Sequence, residues 1–448
     1  MLKLLIPISL MFVSLLWKGM SSEEENSNIV VCAATPLPSL NEAMGMGTLL
    51  TTSPDAPIAL DPTKSYTLPT LATNSKGEVV LYWTEKDPQN LVSLYFSTSK
   101  DGKTFGEKKL VFADAGLGNG RLMRPKLLFK KNGDMVAVFS FRAGGATPPR
   151  DARAAAPSQE ANHSNHGTQA APPQARPKRS SEIRFTVSKD GGSSWTAPTS
   201  VDTDTSKLIR GFFDAVVLPN DEIAVAYLKD VKGSTKHEER DLRLAVSKNG
   251  VFQAERLIDP VVCDCCNISM VVDPSGALHM VYRDNNNDVR DMAHIVSKDN
   301  GMTFSAPKIL YNDKWEIKGC PHSGATSAST KTEQYITWFS GTRNGQSGIR
   351  LTNSSGNLLK VLDANAKNAS IAADAKTAVW VWEQTSEAGT TSVFYSKVDN
   401  GKLLDGQAVN NSNNGQNASS LAYNGKVLIA YEVVTADKKT ALALQTVD

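Results

Sequence analysis

The sequence predicts an all-β protein, a seven-bladed β-propeller whose blades are four-stranded antiparallel sheets, with a six-bladed ring as the alternative. Three observations lead to this prediction. Seven short strand-like runs each end in an aromatic residue, these runs recur at a nearly constant spacing, and amphipathic helical periodicity is absent throughout the 448 residues. A small sheet of this kind cannot bury both of its faces alone, but it can do so by packing between neighbouring copies in a ring.

The repeat is defined by the aromatic residues that end the strand-like runs, which are Trp83, Phe139, Tyr227, Tyr282, Trp338, Trp382 and Tyr431. Successive spacings are 56, 88, 55, 56, 44 and 49 residues, so one interval departs from the period. That interval contains residues 143–182, which are rich in Ala, Pro, Ser and Gln and almost lack large apolar side chains. Because such a composition cannot contribute to a core, we predict a disordered low-complexity insertion within the propeller. Without those 40 residues the long interval becomes 48, which restores the period.

The N-terminal region completes the predicted domain plan. The propeller is predicted over residues 48–448, with 48–60 supplying the outer strand that the last repeat lacks. Residues 1–22 contain an apolar run too short to span a bilayer comfortably and predict a signal peptide or a membrane anchor, followed by a linker over 23–47. We therefore expect an exported protein, periplasmic or extracellular, either released or tethered to the membrane at its N-terminus. A lipidated Cys32 is less favoured than a plain surface cysteine.

The charge balance limits the classes of partner. Lysine plus arginine total 48 and aspartate plus glutamate total 46, so the formal net charge is +2. So small a charge provides no overall field that would attract nucleic acid, and we do not expect nucleic acid as a partner.

A short motif follows the third strand-like run of several repeats. It is complete as SKDGGSSW at 188–195 and SKDNGMTF at 297–304, and one residue shorter as SKDGKTF at 99–105. This motif resembles the Asp-box, or BNR repeat, of sialidases and related β-propellers, whose pattern is S-x-D-x-G-x-[ST]-[WF]. The resemblance covers most of residues 60–448 and implies Asp-box turns at the periphery of the propeller, away from the active centre. Such turns indicate a fold and not a reaction.

The resemblance also implies which residues a sialidase would need. The family uses three arginines to bind the substrate carboxylate, a tyrosine nucleophile with a glutamate partner, and an aspartate as acid/base. The first arginine belongs to an F/Y-R-I-P motif, and the corresponding stretch here, SYTLPTL at 65–71, has no arginine. Four other arginines are the remaining candidates, and we expect surface or inter-blade roles for them: Arg124, Arg210, Arg283 and Arg343. We therefore assign no catalytic residues.

Cysteine is concentrated in two short stretches of the chain. Three of the five cysteines, Cys263, Cys265 and Cys266, lie in VVCDCCNISM, and Cys320 precedes His322 in KGCPHSG. Alignment of the repeats places both stretches at the start of the innermost strand, in the fourth and fifth repeats. We therefore expect adjacent blades to bring the five side chains together at one side of the mouth of the central channel.

Three hypotheses account for such a cluster. Thiolates and an imidazole suit a soft metal ion, and we predict a metal site formed by Cys263, Cys265, Cys266, Cys320 and His322. Copper is preferred to zinc, because the compact C-x-C spacing suits the low coordination numbers of copper and C-x₂-C spacing is absent. Structural disulfides, such as Cys266–Cys320, are the second hypothesis, although cysteines one residue apart make poor disulfides. A labile redox pair is the third.

These observations together predict a function. The leading prediction is an exported, non-catalytic propeller that binds or delivers a soft metal ion, with the ion itself or a metal-donor protein as partner. A sialidase-like glycoside hydrolase or carbohydrate-binding propeller acting at the same funnel is the first alternative. A scaffold protein whose cysteines form structural disulfides is the second.

Overall fold

The computed structural model describes residues 60–142, 180–234 and 239–447, and almost all of their regular structure is β-strand. The strands form seven antiparallel sheets, each built from one consecutive stretch of chain. The sheets are numbered as blades 1 to 7 in chain order. This arrangement confirms the seven-bladed propeller and not the six-bladed alternative.

Blades 1 to 4 contain the strands β1 to β17. Blade 1 contains β1 (Ser65–Thr73), β2 (Val79–Lys86), β3 (Val92–Ser99) and β4 (Lys109–Asp114). After a 3₁₀-helix (Arg121–Met123), blade 2 contains β5 (Lys126–Phe129), β6 (Met135–Phe141), β7 (Glu182–Ser188) and β8 (Thr199–Ser200). Blade 3 contains β9 (Arg210–Val217), β10 (Ile223–Asp230), β11 (Glu239–Lys248), β12 (Val251–Phe252) and β13 (Arg256–Cys263). Blade 4 contains β14 (Ser269–Val272), β15 (Leu278–Arg283), β16 (Met292–Ser297) and β17 (Lys308–Ile309).

The remaining blades continue the pattern. Blade 5 contains β18 (Thr326–Ser329), β19 (Gln334–Ser340), β20 (Gly348–Asn353) and β21 (Leu358–Val361). Blade 6 contains β22 (Ala366–Ala373), β23 (Thr377–Thr385), β24 (Thr391–Asp399), β25 (Lys402–Leu403) and β26 (Gln407–Ala408). Blade 7 contains β27 (Gly415–Tyr423), β28 (Lys426–Val434) and β29 (Thr440–Val447).

The second strand of each blade forms the centre of the core. β2 is buried along VVLYWTE, and β6 is buried along its whole length. A strand covered on both faces by neighbouring sheets needs apolar side chains on both faces, so a continuous apolar run replaces the usual alternation. The seven aromatic residues that define the repeat all lie on these second strands, and each is at most 4% exposed. The repeat is visible in the sequence because every blade buries its second strand in the same way.

The Asp-box turns connect the third strand of a blade to its fourth. In the turn after β7, the buried Ser188 hydroxyl donates to the Asp190 carboxylate at 2.8 Å and accepts the Gly192 N–H at 2.8 Å. The same arrangement recurs around Ser297 and around Ser99. Because successive strands run in opposite directions, these turns lie on the face opposite the loops that lead into the first strands.

The first strands of the blades surround a central channel, and each blade contributes to its lining: Thr70, Lys126, Asp214, Ser269, Ser327, Ser370 and Ser419. Blade 7 contacts blade 1 across the closure of the ring, where Leu71 N–H donates to the Ser419 hydroxyl at 3.0 Å. The loop from the fourth strand of one blade to the first strand of the next therefore opens at the mouth of the channel.

Several sequence predictions concern residues outside those that the structure describes. These are the signal peptide or anchor, the linker, Cys32, almost all of the strand over 48–60, and the insertion apart from its last three residues. The last residue of that stretch, Glu182, begins β7. Blade 7 has three strands within the described part of the chain. Among the described residues, no helix is long and apolar enough to cross a membrane.

Candidate functional site

Both cysteine stretches lie where the chain passes from the fourth strand of one blade to the first strand of the next. Cys263 is the last residue of β13 in blade 3, and Cys265 and Cys266 lie in the turn that leads to β14 in blade 4. Cys320 and His322 lie in the corresponding passage from β17 to β18 in blade 5. The structure brings these five side chains together in two overlapping groups of three.

The first group, which we call the inner triad, consists of Cys263, Cys265 and Cys266. All three are buried, and their sulfur atoms lie within 4.8 Å of one another. Cys263 Sγ is 3.9 Å from Cys265 Sγ and 3.6 Å from Cys266 Sγ. Two thiolates bound tetrahedrally to one ion at about 2.3 Å would have sulfurs roughly 3.8 Å apart. The sulfurs of the inner triad therefore already have the spacing of ligands to a single ion.

The second group, the outer triad, consists of Cys265, Cys320 and His322, whose ligand atoms also lie within 4.8 Å of one another. Cys320 and His322 are exposed at the mouth of the channel. His322 Nδ1 lies 2.9 Å from the Cys320 carbonyl oxygen, which can only accept a hydrogen bond. The Nδ1 atom therefore carries the proton, and Nε2 keeps the lone pair that a metal ion requires.

His322 has a backbone conformation that recurs near the start of the first strand in other blades, at Leu68, Phe212, Asn368 and Asn417. Its φ is 50°, in the left-handed region that costs most non-glycine residues about 1 kcal/mol or more. This conformation turns the chain so that the imidazole contacts the carbonyl of Cys320, two residues earlier in the sequence.

Asn267 fixes the two cysteine stretches relative to each other. Its side-chain oxygen accepts the Gly324 N–H at 2.9 Å, and its amide nitrogen donates to the Ala325 carbonyl at 2.9 Å. The chains approach so closely that a Cβ on Gly324 would lie 1.9 Å from the Asn267 carbonyl oxygen. Asn267, directly after Cys266, and Gly324, two residues after His322, therefore fix the separation of the two cysteine stretches.

Two further side chains support the turn that carries the inner triad. Arg240, from β11, donates to the Asp264 carbonyl at 2.9 Å. The Asp264 carboxylate in turn lies 3.4 Å from Cys320 Sγ. Asp264 thus contacts both stretches from the centre of the CDCC sequence.

The electrostatics of the cysteine cluster favour one thiolate in the metal-free protein. Burial opposes ionisation of Cys266, but thiol hydrogen bonds from Cys263 and Cys265 and the Arg283 charge hold its pKa well below the usual range. Hydrogen bonds to Cys263 and Cys266, together with burial, raise the pKa of Cys265. The negative charge therefore concentrates on the Cys266 sulfur. All four cysteines of the described residues are free thiols.

Arg283 is a residue that sequence reasoning assigned only a general role. Its side chain is buried, and its guanidinium donates to the carbonyl oxygens of Ser323, Phe339 and Arg290. It therefore holds the chain next to His322 while placing a positive charge near Cys266. Because its partners are backbone atoms, no sequence signal identified this contact.

The four arginines considered as substrate ligands have separate roles: Arg124, Arg210, Arg283 and Arg343. Arg124 lines the channel, but its guanidinium donates to the carbonyls of Pro69 and Asn417. Arg210 is buried and paired with Asp202, and Arg343 is exposed. These positions agree with inter-blade and surface roles, and they do not form a common binding site for a carboxylate.

Within the described ranges, Tyr227 and Glu255 form a hydrogen-bonded tyrosine–glutamate pair that lies away from the channel. The Tyr227 hydroxyl donates to Glu255, and the tyrosine is fully buried between blades. Neither residue lines the channel. We therefore assign this pair a structural role.

A further group of potential metal ligands, apart from the two triads, consists of Asp202, Asp204 and Glu255. The ammonium group of Lys229 lies 3.0, 2.7 and 2.6 Å from these three carboxylates. The lysine therefore already supplies the cation at this position.

The central channel is a further concave site among the described residues. Its cavity has a volume of about 310 Å³ and is lined by amide, hydroxyl and cationic side chains, including Arg121, Asn368 and Asn417. Lys126 also faces the channel, but its ammonium pairs with Asp214 at 2.7 Å. Arg121, which is exposed, extends toward the His322 carbonyl at 3.5 Å.

Part of the chain is similar to a known family of repeat domains. Residues 160–367, just under half of the chain, match the model of a BNR repeat-like domain. No match to a curated protein was found.

Several solved structures are similar to the chain. A protein of unknown function from Dyadobacter fermentans is 15% identical, with 74% of this chain and 94% of that chain covered, at a TM-score of 0.46. The intramolecular trans-sialidase from Ruminococcus gnavus is 12% identical, with 87% and 96% covered, at a TM-score of 0.47. An ulvan lyase is 9% identical, with 86% and 94% covered, at a TM-score of 0.49.

Proposed function

We propose that this sialidase-like BNR-repeat propeller is an exported protein that binds a soft metal ion, with Cu(I) preferred, for storage or delivery. The ligands are Cys263, Cys265, Cys266, Cys320 and His322. One observation supports the proposal above the others: ligand atoms from two separate stretches, those of Cys265, Cys320 and His322, lie within 4.8 Å of one another. Sulfur ligands select soft ions, which makes magnesium and calcium poor candidates.

The number of ligands in each group favours Cu(I) over Zn(II). Structural zinc is almost always bound by four protein ligands in a tetrahedron. The compact groups at this site contain three ligands each, and Cu(I) is commonly satisfied by two or three. The preformed hydrogen bond on His322 Nδ1 adds support, because metal-binding histidines usually donate their second ring N–H to a carbonyl or carboxylate.

The exposure of Cys320 and His322 supports exchange of the ion with a partner. A fully buried site would release its ion only after local opening, whereas two ligands of the outer triad already face solvent. A donor or acceptor protein carrying its own thiolates could therefore reach the ion directly. This geometry agrees with a delivery role in which no bond of an organic substrate is broken.

A Cu(I) competition titration tests the proposal. Reduced, anaerobic protein is titrated with Cu(I) in the presence of a chromogenic Cu(I) chelator, and a parallel titration uses Zn(II). We expect tight Cu(I) binding that a Cys265→Ser/Cys266→Ser variant loses, while Cys32→Ser, outside both stretches, retains it. Wild-type protein that fails to compete with the chelator would contradict the proposal, as would an unchanged affinity in the double variant.

The central channel favours a second candidate function, carbohydrate binding. A cavity of about 310 Å³, whose mixed lining includes amide and hydroxyl groups from several blades, is large enough for a sugar residue. Calorimetry with sialylated and neutral oligosaccharides, and release of a chromogenic sialoside, test this function. Binding that Arg121→Ala weakens would support it, and no heat and no release with either class of sugar would contradict it.

A further inference from the structure

We infer that the cysteine–histidine cluster holds two metal ions at once, with the Cys265 sulfur bridging them. The inner ion is bound by the inner triad, and the outer ion is bound by the outer triad. This inference rests on the proposed function and specifies how the same residues are used.

The five ligands do not form one coordination sphere. A metal ion with ligand bonds of about 2.0–2.3 Å joins atoms that are at most roughly 4.6 Å apart. The atoms of each triad meet that condition approximately, within 4.8 Å, but neither Cys263 nor Cys266 joins Cys320 and His322 in such a group. One ion would leave two good ligands unused, whereas two ions use all five.

The sulfur of Cys265 is shared by the two triads. Cys265 alone belongs to both triads, and its sulfur lies between the buried and the exposed ligands. A thiolate has more than one lone pair, so a single sulfur can bind two soft ions. The short C-x-C-C spacing places this residue between its neighbours without any change of fold.

The positions of the inner and the outer ion differ in chemistry. The inner position offers three sulfurs in a buried setting, whereas the outer position offers two sulfurs and one imidazole at the surface. Soft thiolates in a dry setting should hold Cu(I) more tightly and exchange it more slowly than the mixed, solvated set. The guanidinium of Arg283 supplies positive charge on the buried side, which compensates the excess charge of several thiolates.

Native mass spectrometry of the full chain loaded with Cu(I) tests this inference. We expect the wild type to bind two ions, and Cys320→Ser/His322→Asn to bind one. Asparagine is chosen because it tolerates the left-handed backbone of residue 322, and the free energy of unfolding of both metal-free proteins is measured to show that the variant folds. X-ray absorption should show a copper–copper distance in the wild type that is absent from the variant.

The possible outcomes separate this inference from the proposed function. A wild type that saturates with one ion overturns the two-ion inference and leaves the metal-binding function standing. An outer-triad variant that still binds two ions also overturns it, because the second ion would then lie elsewhere. A wild type that binds no copper overturns both.

Discussion

The buried carboxylate of Glu432 accepts a hydrogen bond of 2.7 Å from the backbone N–H of Leu68, a residue 364 positions earlier in the chain. This bond joins the last blade to the first. Glu383 makes the equivalent bond to Asn417 at 2.8 Å, between blades 6 and 7. Both amides belong to residues with positive φ at the start of a first strand, where the ladder of backbone hydrogen bonds is interrupted. The carboxylates therefore satisfy amides that the sheet itself leaves unpaired.

Removal of the Glu432 carboxylate should weaken the closure of the ring. Glu432→Ala leaves the Leu68 N–H buried without a partner, and we expect the free energy of unfolding to fall by about 2–3 kcal/mol. Denaturant unfolding of the metal-free protein measures the change. Glu107→Ala, at an exposed glutamate of blade 1, is the matched control and should change the free energy of unfolding by less than about 0.5 kcal/mol. Equal effects of the two substitutions would contradict the role of Glu432.

The buried serine of an Asp-box turn should contribute more to the free energy of unfolding than an exposed serine of the same turn. Ser188→Ala removes the hydroxyl that accepts the buried Gly192 N–H, and we expect a loss of about 1–2 kcal/mol in the free energy of unfolding. Ser193, five residues later in the same turn, is exposed, so Ser193→Ala should have a much smaller effect. Thermal unfolding of the two variants side by side measures the difference, and a reversed order would show that the buried bond is unimportant.

The stability of the protein should fall on mild acidification because of His294. Burial, with the neighbouring His279 and Lys308 charges, lowers the pKa of His294 from 6.5 to about 4. Between these values the unfolded chain binds a proton that the folded protein does not, so stability is lost as the pH falls from 6.5 towards 4. The loss attributable to this residue is roughly 3 kcal/mol at most.

Two variants isolate the contribution of His294. In His294→Gln the free energy of unfolding should vary less with pH across this window, because the titrating group is gone. Lys308→Met, which removes a nearby positive charge, should raise the pKa of His294 and reduce the acid loss. Unfolding curves recorded at several pH values check both expectations, and an identical slope in the wild type and His294→Gln would show that other groups are responsible.

Separation of blades 4 and 5 should weaken metal binding without touching a ligand. Gly324→Ala would place a methyl group 1.9 Å from the Asn267 carbonyl oxygen, so the two stretches must move apart. We expect a loss of about 1–3 kcal/mol in the free energy of unfolding and a lower Cu(I) affinity in the competition titration. Gly120→Ala, where a methyl group would meet nothing within 4 Å, is the control for both measurements. Unaltered Cu(I) affinity in Gly324→Ala would argue against the need for a fixed separation.

The sequence alone predicted the number of blades because every blade buries its second strand in the same way. The aromatic residues at the ends of those strands, such as Trp83 and Tyr431, keep the period even where 40 inserted residues interrupt it. Since equivalent loops of adjacent blades must lie side by side, the meeting of Cys265 with Cys320 and His322 in one region followed from the same alignment.

The finer organisation of the site could not be predicted in this way. Whether five ligands form one group or two depends on small differences in the positions of their sulfur and nitrogen atoms, which repeat spacing does not encode. The role of Arg283 depends on carbonyl groups of Ser323 and Phe339, and a carbonyl is the same at every residue. The left-handed backbone of His322 recurs at Leu68, Phe212, Asn368 and Asn417, near the start of other first strands, and no single residue type marks these positions in the sequence.

The division of the ligands between two inter-blade passages has a consequence for the cohesion of the ring. In a repeat protein, each unit draws most of its stability from its immediate neighbours. Sulfur ligands on both sides of blade 4 would make a bound ion a crosslink, so that blades 4 and 5 could no longer open independently. Release of the metal ion would then loosen only blades 4 and 5. The backbone amides of Asn267 and Gly324 would exchange their hydrogens faster in the metal-free protein. A partner protein could recognise the loaded form by its rigidity as well as by its metal.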